Sequence, residues 1–299
     1  MLPLCIRSSL KVFFVMFKFI YCFLRRRLSK ITGNDDVATT RGFFNYVYTK
    51  RRNLDDAFPE MEVVAMRGSL SDYAFHSPTW SKSFNFGLTS SDLNVSLQLY
   101  EKVLRRAPNL KTVLLYSGVF VPGFNLAYTS ERNRLVLYKY FFGIDYNPVN
   151  RIEKKTERRI LRKLNSFSFE LGDSDQGYIY GKPHFPGLDV GARVKTHLRE
   201  NLREPDQMEY FRRLKDLVES DGRVLYVIIP PVRLDYREDL KNMWNGDVFQ
   251  KFKSMIQKER VLDFYDNKNF SYSDFGDCDH MNELGSKKLT EMIRSRIEV

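Results

Sequence analysis

One serine and four histidines bound the covalent chemistry open to this chain. Ser69 stands in Met66-Arg67-Gly68-Ser69-Leu70-Ser71-Asp72, directly after the apolar run Glu62-Val63-Val64-Ala65-Met66. Such a run, ending in Arg-Gly-Ser, reads as a buried strand entering a loop, so the hydroxyl falls at the strand's carboxyl end. A serine is a weak nucleophile at its free pKa and needs a histidine base that a third group orients. The histidines are His76, His184, His197 and His280. His280 lies in Asp277-Cys278-Asp279-His280-Met281-Asn282-Glu283, just ahead of a C-terminal helical stretch. A carboxylate three residues before an imidazole can fold back and accept its ring N–H, which fixes the tautomer. Asp277 is therefore the expected orienter, with Asp279 as its competitor. Asp277, Asp279 and His280 could also ligate a metal, but no second histidine–carboxylate cluster completes such a site, and no metal is expected. Asp72 and Tyr73 lie close enough to line a pocket, and Tyr73 reads equally as core. His184 and His197 read as surface or loop residues without catalytic duty.

These residues need elements to hold them. Apolar runs at 62–66, 112–116, 223–229 and 260–264 predict buried strands. Helical spacing of Leu93, Leu97, Tyr100, Val103 and Leu104 predicts a helix over 90–106, capped by Ser90 or Ser91. Residues 283–297 predict a closing helix. Alternation of this kind implies an α/β fold with a mostly parallel sheet, helices on both faces, and ligands beyond the strands' carboxyl ends. Pro230-Pro231, with Arg233 and Asp235, stops the third run and forms either a substrate-binding turn or a plain one. Residues 31–60 read as a linker or peripheral turns. Between about 121 and 206 the alternation lapses, which predicts a helical and loop insertion. It holds a basic helical stretch at 151–164, read as a solvated face or a platform for anions, and a Gly/Asp/Pro-rich loop at 172–191.

Charge is unevenly distributed. The net charge is +11; residues 1–30 hold seven Lys/Arg and no acid, leaving +4 for the other 269 residues. A basic balance confined to one end gives no case for nucleic acid, and no nucleic-acid signature is present. Val12 to Leu24 is apolar except for Lys18 and runs into Arg25-Arg26-Arg27. Arg7, Lys11, Lys18 and Arg25 form a cationic stripe on a helix, opposite Phe13, Phe17, Ile20 and Leu24. That pattern predicts a helix lying in the headgroup plane of an anionic membrane, with a single tilted span or packing on the protein body as alternatives. Three scattered cysteines, Cys5, Cys22 and Cys278, make no disulfide framework.

Gly68-Ser69-Leu70 after a strand, Asn85-Phe86-Gly87 before a helix and Asp277-x-x-His280 near the C-terminus resemble blocks I, II and V of the SGNH/GDSL hydrolase superfamily. The phrase Arg67 to Phe75, followed by Pro78, resembles the branch that modifies bacterial surface polysaccharides. The resemblance implies a three-layer flavodoxin-like fold, with Ser69 as nucleophile, His280 as base, Asp277 as orienter, and the N–H groups of Ser69 and Gly87 facing the oxyanion. The chain departs from the pattern at Arg67 and Gly68, which stand where Gly-Asp is usual, and in lacking the block III asparagine. Ser117, after the second run, or Asn85 would have to supply that donor. The implied function is acyl transfer, most simply of acetyl, or ester hydrolysis on a bacterial surface polysaccharide or its precursor. No bound cofactor is expected; a transferase would use an acyl donor such as acetyl-CoA. The expected partners are an acylated carbohydrate and an anionic membrane, at the cytoplasmic face of the inner membrane. A non-catalytic glycan- or partner-binding scaffold is the alternative.

Overall fold

A computed structural model describes residues 40–146 and 152–297. Its elements run α1 (Arg41–Ala57), β1 (Val63–Met66), α2 (Gly68–Ala74), β2 (Ser83–Phe86), α3 (Leu93–Lys102) and β3 (Thr112–Tyr116). Then come α4 (Arg134–Phe142), α5 (Lys154–Asn165), β4 (Ser174–Asp175), β5 (Tyr178–Ile179), α6 (Val190–Asn201) and α7 (Met208–Ser220). The chain closes with β6 (Val224–Ile229), α8 (Leu234–Met243), α9 (Gln250–Lys253), β7 (Val261–Asp263) and α10 (Glu283–Arg294).

Five strands pair in parallel in the order β2-β1-β3-β6-β7. Strands β1, β2 and β3 are buried at every position, as strands covered on both faces are, although β2 alternates Ser and Asn with Phe. The winding direction reverses between β1 and β3. The carboxyl ends there splay their loops apart and leave the crevice in which α/β proteins place ligands. Ser69 follows β1, and Ser117 follows β3.

Two expectations fail locally. Residues 41–57, expected within a linker, form the 17-residue helix α1. Its Phe44, Val47 and Leu54 are buried in the common core, each such burial contributing about 1.5–3 kcal/mol. The abundant charges of this stretch masked the stripe. Helix α3 is capped by Asp92, which accepts the Val95 N–H at 2.9 Å, and not by Ser90 or Ser91. Ser91 Oγ accepts from the Gly68 N–H at 2.7 Å instead.

The expected insertion contains α4, α5, α6 and the β4–β5 hairpin. Gln176, in that hairpin's turn, accepts the Asn85 N–H at 2.9 Å and so occupies part of the free edge of β2. On α5, Ile160 and Leu164 are buried while Lys154, Lys155, Arg158, Arg162 and Lys163 are exposed. Among the described residues no helix is long and apolar enough to cross a membrane. The stripe through Arg7, Lys11, Lys18 and Arg25 lies outside the described residues.

Candidate active site

The chain leaves β1 through two consecutive left-handed residues, Arg67 (φ 94°) and Gly68 (φ 61°). Gly68 takes such a φ without penalty, but a non-glycine residue there costs on the order of 1–3 kcal/mol and needs outside support. Arg67 has that support. Its side chain is buried, Nη1 donates to the Tyr116 carbonyl at 3.1 Å, and the guanidinium lies 5.1 Å from the Phe120 ring centre. Burial pulls its pKa down to about 9, with the Asp92 charge opposing. The sharp turn ties β1 to β3 and delivers Ser69 into the first turn of α2, where an α-helix supplies no acceptor for the backbone N–H.

Ser69, His280 and Asp277 meet. His280 Nε2 lies 2.9 Å from Ser69 Oγ, and His280 Nδ1 lies 3.0 and 3.1 Å from the two Asp277 oxygens. Asp277 Oδ1 also accepts the backbone N–H groups of Asp279 and His280, at 3.1 and 2.8 Å. The three-residue spacing thus closes a tight loop around the carboxylate. With Nδ1–H given to Asp277, Nε2 is left to accept the serine proton. Burial lowers the His280 pKa, but the Asp279 charge and the Asp277 hydrogen bond outweigh it, and the net shift is upward. Burial raises Asp277, and its bond to His280 reverses the sign, leaving the carboxyl below its usual range.

Asp279 is not the orienter. Arg193 of α6 holds it with two hydrogen bonds of 2.9 and 3.0 Å, and His197 Nε2 stands 3.8 Å away. Contrary to the surface reading, His197 is buried; burial takes its pKa down to about 3, and its Nδ1 shares a 2.6 Å hydrogen bond with the Tyr236 hydroxyl. Ligand atoms of Asp277, Asp279 and His280 do fall within 4.8 Å of one another. Each is already engaged, by the imidazole, by Arg193 and by Ser69, so a cation would compete with those bonds. Cys278 is buried between them, and burial pushes its thiol up to about 12.

The expected oxyanion donors divide. Gly87 N–H donates to Asn85 Oδ1 at 2.9 Å and is not free to face the serine. Asn85 is fully buried; its Nδ2 donates to the carbonyls of Ser71, Asp72 and Phe75 at 3.0, 3.2 and 2.6 Å. Both residues fasten α2 to the end of β2. A Cβ on Gly87 would come within 2.3 Å of the Asp72 nitrogen, so the glycine permits the close approach of α2 to the end of β2. Ser117 differs. It is fully buried, and its Oγ has no partner among the described residues. It lines a cavity of about 10 Å³, room for roughly one water or methyl group, walled by Leu70, Val119, Phe120, Pro230 and Asp279. Pro230 thus borders the cavity that Ser117 lines. Arg233 donates to Asp235 at 2.9 Å, and its backbone N–H reaches the Cys278 carbonyl at 3.1 Å, pinning that turn to the His280 loop.

Two lysines invisible to motif reading, Lys50 and Lys182, complete the surroundings together with Tyr73 and His184. Lys50 of α1 is buried and pairs with Asp72 at 2.8 Å while donating to the Gly177 carbonyl at 2.6 Å. The insertion loop reaches over α2. Lys182 Nζ sits 3.6 Å from the Tyr178 ring centre and donates to the Asp72 carbonyl at 2.5 Å. Burial lowers its pKa to about 7. The Tyr73 hydroxyl donates to the Pro183 carbonyl at 2.8 Å, and its ring lies 4.6 Å from that of His280. His184 meets Tyr73 edge-on at 5.2 Å and packs on Gly276, leaving it half-buried beside the site. Compared with known proteins, the chain matches no family model and no curated sequence.

Proposed function

We propose that this protein performs serine-dependent acyl chemistry, in the manner of an SGNH-type esterase or O-acyltransferase. The observation that carries the reading is the unbroken hydrogen-bond chain Ser69–His280–Asp277 at the sheet's reversal point. Ser69 Oγ attacks an ester carbonyl as its proton passes to His280 Nε2, and the imidazolium is held by Asp277. Collapse of the tetrahedral intermediate expels the alcohol, which takes the proton from His280, and leaves acyl-Ser69. A second hydroxyl then attacks: water gives hydrolysis, a sugar hydroxyl gives transfer. In this reading the Ser69 N–H and Ser117 Oγ supply the oxyanion donors, each such donor being worth about 3 kcal/mol in the barrier. The support for Ser117, in place of the missing asparagine, is its unpartnered buried hydroxyl just after β3.

The substrate class we propose is an acylated, most simply acetylated, carbohydrate of the bacterial surface or its precursor, with a donor such as acetyl-CoA if the reaction is transfer. The N-terminal stripe supports attachment to the cytoplasmic face of the inner membrane. A second reading, a non-catalytic SGNH-like scaffold that binds glycan or a partner, draws on one observation: the Gly87 N–H is committed to Asn85. A fluorophosphonate probe separates the two. Labelling of the parent and not of Ser69→Ala is the expected result; an unlabelled, folded parent overturns the catalytic reading in favour of the scaffold.

A further inference from the structure

Five large apolar side chains stand exposed on segments that surround Ser69 and His280. Phe185 is 58 % exposed and Leu188 39 %, both in the insertion loop that lies on Tyr73 and Gly276. Leu234 is 47 % exposed and follows Arg233, whose backbone is bonded to Cys278. Tyr272 at 56 % and Leu284 at 60 % flank the Asp277–His280 loop on either side. Tyr272 also lies under the Arg233 guanidinium, 5.1 Å from ring centre to carbon, which joins the turn after β6 to the loop after β7. Leu234, Tyr272 and Leu284 follow the carboxyl ends of β6 and β7, and the insertion loop reaches the same edge through its contacts with Tyr73 and Gly276, so the five side chains form a collar around Ser69 and His280. Charges within the collar are paired internally, Arg233 with Asp235 and Lys287 with Glu283 at 2.6 Å. Single exposed apolar residues are ordinary on a protein surface; a contiguous group around a functional opening marks a contact surface.

The point where the chain enters the domain names the partner. Helix α1 precedes β1 and runs against the strand direction. Its Tyr46 hydroxyl donates to the Gly87 carbonyl, just past the carboxyl end of β2, at 3.0 Å. The start of α1 therefore lies at the same edge as the collar. Between Arg27 of the basic, apolar N-terminal segment and Thr40 are twelve residues, which reach at most about 40 Å, close to the diameter of a domain of this size. A membrane-bound segment would hold the collar edge toward the lipid, and the opposite edge could reach it only at full stretch.

Resting on the acyl-chemistry reading for its functional meaning, we propose that the collar of Phe185, Leu188, Leu234, Tyr272 and Leu284 docks on a phospholipid bilayer, so that the Ser69 site opens onto the membrane surface. The acceptor or ester then arrives from the lipid side, as a lipid-linked glycan would.

The test uses the full-length chain. Tryptophan is introduced singly at the collar, as Leu284→Trp and as Phe185→Trp. The reference is Lys258→Trp, which is exposed on the loop that enters β7 from the opposite edge. Each is mixed with phosphatidylglycerol/phosphatidylethanolamine vesicles carrying brominated acyl chains. Both collar variants should lose about half of the added fluorescence, as expected for side chains a few ångströms into the interface, while Lys258→Trp stays at the parent level. Equal quenching at the two edges, absence of quenching at the collar, or failure to bind vesicles overturns the proposal. So does sedimentation showing a lipid-free dimer in which the collar tryptophans are already shielded. Adding Ser69→Ala to Leu284→Trp leaves the quenching unchanged. Collar quenching in the tryptophan variants of a protein that no fluorophosphonate labels would overturn the catalytic reading alone.

Discussion

Two polar clusters hang from the same seven-residue helix α2, and they are built on opposite plans. Around Asp72, the Lys50 ammonium pairs with one carboxylate oxygen and the Tyr46 hydroxyl donates to the other, Asn85 Nδ2 and Lys182 Nζ donate to its backbone carbonyl, and the residue is sealed from solvent. Around Ser69 the chain of bonds stops short among the described residues, since the serine oxygen bonds His280, while the Ser117 hydroxyl after β3 has no partner there and lines a small cavity together with Leu70 and Asp279. A satisfied buried network fixes geometry, because loosening any member leaves the others unpaired in a low-dielectric interior. An unsatisfied one is the more reactive. The closed cluster holds α2 still so that the open one keeps its alignment.

The largest effect that could break this contrast lies in the open cluster. Asp277→Asn keeps the volume but reverses the hydrogen bond to Nδ1, so ester turnover should fall about 10⁴-fold. In the parent, turnover should rise with pH through a midpoint above the ordinary imidazole value of 6.5, since the base acts only when neutral and its pKa is raised. A midpoint at or below 6.5 in the kcat/KM profile would refute that alignment. Next comes the closed cluster. Lys50→Met strands the Asp72 carboxylate and should cost about 3–5 kcal/mol in a denaturant titration, while probe labelling of the folded fraction keeps its rate. If labelling collapses in folded Lys50→Met protein, the two clusters are one machine and the division is wrong. The smallest effect sharpens the boundary. Ser117→Ala should slow acylation about 10²-fold with little change in thermal midpoint, marking that hydroxyl as part of the open cluster. Unchanged acylation would return it to the core.

Why some of this was legible in the sequence follows from range. Four of the five sheet strands announce themselves as runs such as Val63–Met66 and Val224–Ile229, because a strand covered on both faces has no polar alternation to hide it. Strand β2, Ser83–Phe86, alternates Ser and Asn with Phe and reads as a motif, not as an element. The Asp277–His280 contact is local, three residues apart, and spacing alone exposes it. Asn85 and Gly87 were legible as a motif but not in role, because the carbonyls that Asn85 fastens are 10 to 14 residues away. Lys50–Asp72 and Arg193–Asp279 join segments 22 and 86 residues apart, through the unpatterned charges of α1 and the insertion. No periodicity encodes a pair of that kind.

The bond between Ser69 and His280 spans 211 residues, nearly from one end of the described chain to the other. At the ordinary pace of about 5–20 residues per second, His280 is made roughly 10–40 s after Ser69. Through that interval the nascent chain can fold α1, β1 and α2 and seal Asp72 as soon as residue 182 is available, yet its serine has no base. The basic N-terminal segment has long since left the ribosome and can reach a bilayer. The order of synthesis itself imposes a sequence on assembly: the Asp72 cluster can close first, and Ser69 gains its histidine last.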